Sequence, residues 1–163
     1  MKIDITEATF DDKPVLSHML EFCAYELSPY DDADLNLHGK YGYNYLDLYW
    51  REQGRHAFLV RVDNQLAGFA MVNNHHYTPD AEFSMAEFFI MRRYQNKGVG
   101  KAVAFYIFAH FSGTWEIRQL RRHTQAQDFW RKVISEFAGK NFREFDGYGE
   151  WKGPIQVFCS NRL

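Results

Sequence analysis

The stretch Met85-Ala86-Glu87-Phe88-Phe89-Ile90-Met91-Arg92-Arg93-Tyr94-Gln95-Asn96-Lys97-Gly98-Val99-Gly100-Lys101 carries an apolar strand through a basic turn into the start of a helix. That succession makes an anion site for a physical reason. The first turn of a helix presents N–H groups with no intrahelical acceptor at the positive end of its dipole, and glycines let the backbone come close to phosphate oxygens. Arg92, Arg93, Lys97 and Lys101 place four cations within ten residues.

Spacing separates the phosphate loops that such a stretch could form. A Walker A loop needs Gly-x-x-x-x-Gly-Lys followed by Ser or Thr, but Gln95 stands where the first glycine belongs and Ala102 follows the lysine. A dinucleotide fingerprint Gly-x-Gly-x-x-Gly needs Gly or Ala where Val103 stands, and it opens a parallel βαβ unit. Neither motif fits.

Outward from the loop, periodicity gives the elements. Val99, Val103, Ala104, Ile107, Phe108 and Phe111 recur at helical spacing after the glycines. Before it, 56–62, 66–74 and 82–91 read as three strands, the first two joined by the turn Asp63-Asn64-Gln65. At the start, Lys2 to Thr6 alternates as a strand does. Asp11, Asp12 and Pro14 then open a helix carrying Leu16, Met19, Leu20, Cys23, Ala24 and Leu27, expected to stop before Ser28-Pro29. The acidic and aromatic stretch 30–50 is expected to hold a short helix in its second half. Trp115 to Leu120 reads as a strand, and Thr124 to Gly139 as a helix. Asn141 to Phe145 and Pro154 to Cys159 read as final strands. The expected fold class is α/β (α+β): a mixed, mostly antiparallel central sheet of about seven strands flanked by about four helices, in one domain spanning 1–163.

Bulk properties narrow the partners. A chain of 163 residues suits one core, burying about 70% of its unfolded surface. With 19 basic and 21 acidic residues, the whole-protein field favours neither nucleic acid nor an anionic membrane, so neither is an expected partner. No signal peptide and no apolar run of membrane-spanning length is seen, and a cytoplasmic protein is expected. Cys23 and Cys159 have no metal or redox spacing and are expected to be free thiols in the core; no metal site is expected.

The loop resembles the pyrophosphate loop of the GNAT (N-acetyltransferase) superfamily, Arg/Gln-x-x-Gly-x-Gly/Ala, with Gln95, Gly98 and Gly100 at the family's spacing between strand and helix. The element order is similar to that fold over nearly the whole chain. The resemblance implies acetyl-CoA as the acyl-donor cosubstrate. Gln95, Asn96, Lys97, Gly98, Val99, Gly100 and Lys101 would hold the pyrophosphate. The strand Phe88, Phe89, Ile90 would splay and bond the pantetheine arm through its backbone, one N–H serving as an oxyanion donor. Arg92, Arg93 or the pair Arg121 and Arg122 would meet the remaining phosphate. A later family motif, Asn-x-x-Ala-x-x-Phe/Leu-Tyr, is matched by Ala126 and Phe129, which adds Phe129 to the cofactor residues. His123 stands for its Asn and Trp130 for its Tyr. Since that Tyr often protonates the departing thiolate and an indole has no usable acid group, Trp130 is expected to pack, leaving the acid open.

An amine of pKa about 10.4 is almost wholly protonated at pH 7, so transfer to it benefits from a base. The resemblance points to Glu87 on the strand entering the loop, with Ser84, Glu82, His75 and His76 as lesser candidates. A bulge in that strand would decide which face Glu87 occupies. The implied reaction is N-acetylation of a small-molecule or peptide amine by direct attack in a ternary complex, by a monomer or homodimer. The wall implied for the acceptor is acidic and aromatic: Glu26, Tyr30, Asp31, Asp32, Asp34, Tyr41 and Tyr43. Two other readings stand beside it, an acyl-CoA-binding sensor without turnover and a nucleotide-binding protein.

Overall fold

The computed structural model describes residues 1–161. Seven strands form one open sheet: β1 (Ile3–Glu7), β2 (His56–Val62), β3 (Gln65–Asn73), β4 (Phe83–Ile90), β5 (Thr114–Arg118), β6 (Phe142–Tyr148) and β7 (Trp151–Cys159). Their order is β1-β2-β3-β4-β5-β7-β6. Every neighbouring pair is antiparallel except β4 and β5, which run parallel. Between β2 and β3, Asp63 and Asn64 take positive φ values of 48° and 64°, the two-residue turn that suits strand twist.

Three α-helices cover the sheet: α1 (Lys13–Asp31), α2 (Val99–His110) and α3 (Thr124–Ala138). The expected fourth helix is a 3-10 segment, Leu46–Trp50. At three residues per turn Leu46 and Tyr49 fall on one side, and both are buried. One face of the sheet packs on α1 and this segment through Leu16, Leu20, Leu59, Phe69 and Met71. The other packs on α2 and α3 through Val60, Val72, Val103, Phe108, Trp130 and Ile134. β2 and β3 are covered on both faces, so they read as nearly continuous apolar runs.

Two further expectations are corrected. Helix α1 runs through Pro29 to Asp31. The proline lacks the N–H that would reach the Tyr25 carbonyl, and the Ser28 hydroxyl donates to that carbonyl instead, at 2.7 Å. Asp32 then caps the helix in the left-handed region, its N–H bonded to the Ser28 carbonyl. Cys23 lies in the core, but Cys159 ends β7 and is exposed.

Candidate active site

β4 and β5 pair only at Phe83 with Trp115 and Ser84 with Glu116. From Met85 onward the two strands part, leaving one backbone edge of β4 with no strand beside it. Parallel strands leave no hairpin to hold them together, and aromatic side chains fill the α2 and α3 side of the split. There Phe88 lies 5.8 Å from the Phe129 ring and 4.9 Å from Trp130. Trp130 is buried and packs on Phe108 as well, consistent with a packing role. Phe89 points to the opposite face and packs on Phe69 at 5.8 Å, while Ile90 joins the α2 and α3 core.

At the end of β4 the chain turns into α2. The Gln95 side-chain amide donates to the Ile90 carbonyl at 2.7 Å and braces the turn from within. Asn96 and Gly98 both take positive φ, 57° and 80°, bending the backbone into the helix. The first intrahelical bond is Ala102 N–H to Gly98 carbonyl at 3.0 Å; the N–H groups of Val99, Gly100 and Lys101 have no acceptor among the described residues. A Cβ on Gly100 would stand 3.1 Å from the Phe129 ring, so the glycine keeps this approach open and lets α3 pack close. Val99 is buried in the core, leaving only its N–H available.

The cations around the turn divide into two sets. Arg92 pairs with Glu26 at 2.7 Å, Lys101 with Glu136 at 2.9 Å, Arg121 with Asp146 at 2.9 Å and Arg122 with Asp32 at 2.8 Å. Arg93 stacks over Tyr94 at 5.6 Å. Among the described residues, Arg93 and Lys97 have no acidic partner, so they are the cations left for an anion at this turn. The backbone donors, the two free cations and the narrow Gly100 approach fit a pyrophosphate, and the open β4 edge fits an extended amide-bearing arm.

Glu87 lies on the α1 face, and a bulge puts it there. Met71 pairs with Glu87 but Val72 pairs with Met85, so Ala86 is an extra residue on β4. Phe83 and Met85 point into the α2 and α3 core; strict alternation would send Glu87 after them. The bulge reverses the alternation: Phe88 and Ile90 point into that core, and Glu87 faces Cys23, Tyr43 and Tyr49. Burial pushes its carboxyl up to about 7; the positive Arg118 opposes this and the negative Asp31 adds to it. Burial, with the nearby Glu87 charge, also holds the Cys23 thiol and Tyr43 hydroxyl above their ordinary ranges. Tyr49 is only 5% exposed, and its hydroxyl is buried without a partner.

The acidic segment expected to line the acceptor is largely committed elsewhere. Beyond the pairs of Glu26 and Asp32, the Asp31 carboxylate accepts from the Ala33 N–H. Glu21 accepts from the Tyr41 and Gly42 N–H groups at 2.8 and 2.9 Å. Tyr30 stacks on His123 at 4.1 Å, docking the end of α1 onto the start of α3. Burial lowers the His123 pKa, against a smaller raising effect of Glu26.

Of the lesser candidates, Glu82 accepts from the Thr114 N–H at 2.8 Å and Ser84 accepts from Arg118 at 3.0 Å. His76 Nδ1 meets the Thr78 carbonyl, and His75 Nε2 meets Arg55. The described residues hold no cluster of three or more His, Cys, Asp or Glu suited to a metal. Sequence reasoning missed Tyr49 and Arg118. The alternation in Thr114-Trp115-Glu116-Ile117-Arg118 held a usable signal, since it puts two opposite charges on one face of a central strand.

Comparison with known proteins agrees with this geometry. A family model described as Acetyltransferase (GNAT) family matches residues 18–133. No curated protein matches the chain. The fold is similar to an acetyltransferase from Thermus thermophilus, with TM-score 0.73 and 15% identity over 98% of this chain and 97% of that one. It is similar also to PH1933 from Pyrococcus horikoshii OT3, with TM-score 0.66 and 19% identity over 99% and 100%. The ribosomal-protein-S18-alanine N-acetyltransferase from Escherichia coli follows with TM-score 0.62 and 12% identity over 99% and 96%.

Proposed function

Because the chain belongs to the acetyltransferase (GNAT) family, we propose that it moves an acetyl group from acetyl-CoA to an amine by direct attack in a ternary complex. On this reading 1–163 is a single catalytic domain, acting in the cytoplasm on a small-molecule or peptide amine. The observation that carries it is the Ala86 bulge, which sets a titratable carboxyl beside the free edge of β4.

The N–H groups of Val99, Gly100 and Lys101, with Arg93 and Lys97, would hold the pyrophosphate. The backbone of Phe88, Phe89 and Ile90 would bond the pantetheine arm, with Phe129 at its side. When bound, acetyl-CoA supplies an acyl group already activated as a thioester. The chain's residues do the rest. The free β4 edge offers an N–H to the acyl carbonyl oxygen, where negative charge builds during attack. Glu87 takes the proton from the ammonium; with its pKa near 7 it is ionised in a substantial fraction of molecules at neutral pH, yet basic enough to accept. The leaving thiol, of pKa about 8.5, departs without the usual tyrosine.

Trp130 favours a second reading, a sensor that binds acyl-CoA without turning it over, because a buried indole stands where an acid commonly serves. Calorimetric titration with acetyl-CoA and thiol release across an amine panel separate the two. Binding with release supports transfer; binding with no release from any amine supports the sensor.

A further inference from the structure

We infer that the acceptor is an amine carrying its own anionic group, and that Arg118 holds this group in the cavity lined by Asn74, His75, His76 and Tyr77 while the amine faces Glu87. This rests on the transfer reading above and adds to it the class of acceptor.

Arg118 ends β5 on the face opposite Trp115 and Ile117, the same face as Glu87 across the split. Its guanidinium is fixed on several sides. It stacks over Tyr77 at 5.0 Å and Trp151 at 5.3 Å, and Nη2 donates to the Ser84 hydroxyl at 3.0 Å. Nε lies 3.5 Å from Glu116. That carboxylate is already taken by the Tyr77 N–H, the Thr78 N–H and the Thr78 hydroxyl, the last at 2.6 Å. Nη1 has no acceptor among the described residues, and the group lines a cavity of about 390 Å³. A rigid, planar, half-buried cation with a free amino group suits a carboxylate or phosphate oxygen.

Of the two histidines on the walls, His76 spends its Nδ1–H on the Thr78 carbonyl, and His75 supplies the donor. Arg55 Nη2, 2.9 Å from His75 Nε2, can only donate, so His75 carries its neutral-form proton on Nδ1 and is a donor there. Among the described residues, no carboxylate lines the cavity. On the acceptor side, Glu26 and Asp32 are paired with Arg92 and Arg122, which reduces the counter-charge left for a second ammonium. A polyamine is therefore a poor match, and a zwitterion a good one.

Matched acceptors that differ only in the anion decide the matter. Glycine and glycinamide, glutamate and glutamine, and phosphoethanolamine and ethanolamine are compared, with putrescine as the dicationic arm. Binding is measured by calorimetry in the presence of CoA, and turnover by thiol release from acetyl-CoA. At least one anionic member is expected to exceed its counterpart about tenfold or more, with the carboxylate and phosphate pairs telling which oxyanion is preferred. In Arg118→Met that ratio should fall to near one, and Arg118→Lys should recover part of it. Equal or better binding of the uncharged members, or preference for putrescine, by the unsubstituted protein overturns the inference whatever the variants do. Anion-selective binding without thiol release supports the subsite and counts against transfer alone.

Discussion

Glu87 meets the three conditions for accepting a proton from an ammonium group: a pKa near neutrality, a place beside an open strand edge, and no partner of its own among the described residues. Glu87→Gln should lower kcat/KM at pH 7 by about 10²–10⁴-fold, and by much less near pH 10, where the amine is already largely neutral. An unchanged pH–rate profile would remove Glu87 as the base. The same group sets a stability trend. Its pKa is near 4.5 unfolded and about 7 folded. Between those values the native state holds the proton more tightly, so stability falls as pH rises from about 4.5 to 7 and levels off above. Thermal melts should therefore show the Gln variant gaining on the parent protein between pH 5 and pH 8, by about 2–4 °C for each kcal/mol. Gly100 answers for the other half of the reaction. In Gly100→Val the side chain would meet the Phe129 ring and cover the N–H groups at the start of α2. Calorimetry should then show acetyl-CoA affinity reduced about 100-fold or more, and parent-like affinity would sink the cradle.

Among the elements, β4 and α1 do the positioning, and each does so by breaking a local rule. β4 carries one extra residue, and that residue turns a carboxylate from an apolar core to the acceptor side. α1 passes through a proline because Ser28 supplies the missing donor. The extra turn also brings Tyr30 onto His123 and Asp32 onto Arg122. Ser28→Ala should leave the Tyr25 carbonyl without that bond and cost about 0.5–1.5 kcal/mol, read as a lower urea midpoint at unchanged slope. A loss within error would mean that the docking on α3 alone keeps the last turn.

Across the whole molecule, the split in the sheet is the working feature, and Glu116 steadies its closed end. This fully buried carboxylate binds the Tyr77 and Thr78 backbone, the Thr78 hydroxyl and Arg118, tying the 74–82 loop to β5. Glu116→Gln puts an amide donor among these donors. It should destabilise the fold by about 2–4 kcal/mol in denaturant unfolding, and raise KM for the acceptor more than for acetyl-CoA. Equal effects on both substrates would mean that Glu116 supports the sheet in general and not the acceptor cavity.

Local chemistry was enough to read much of this from the chain. The Gln95, Gly98 and Gly100 spacing, the apolar strand before it and the helical period after it depend on neighbours in sequence, and they implied the cofactor loop and the mixed sheet. Even the strand that carries Glu87 was legible, because alternation is local. Three things were not. The direction of Glu87 hangs on one unpaired residue opposite Met71 and Val72, and pairing register is a property of two strands. The passage of α1 through Pro29 draws, besides Ser28, on Arg122 and His123, more than ninety residues away, which meet its last turn just before α3 begins. The fate of Glu26 and Asp32 depends on Arg92 and Arg122, which pair with them across the fold. Composition showed which charges the chain owns, but which of them remain free for a ligand is decided only when folding has paired the rest.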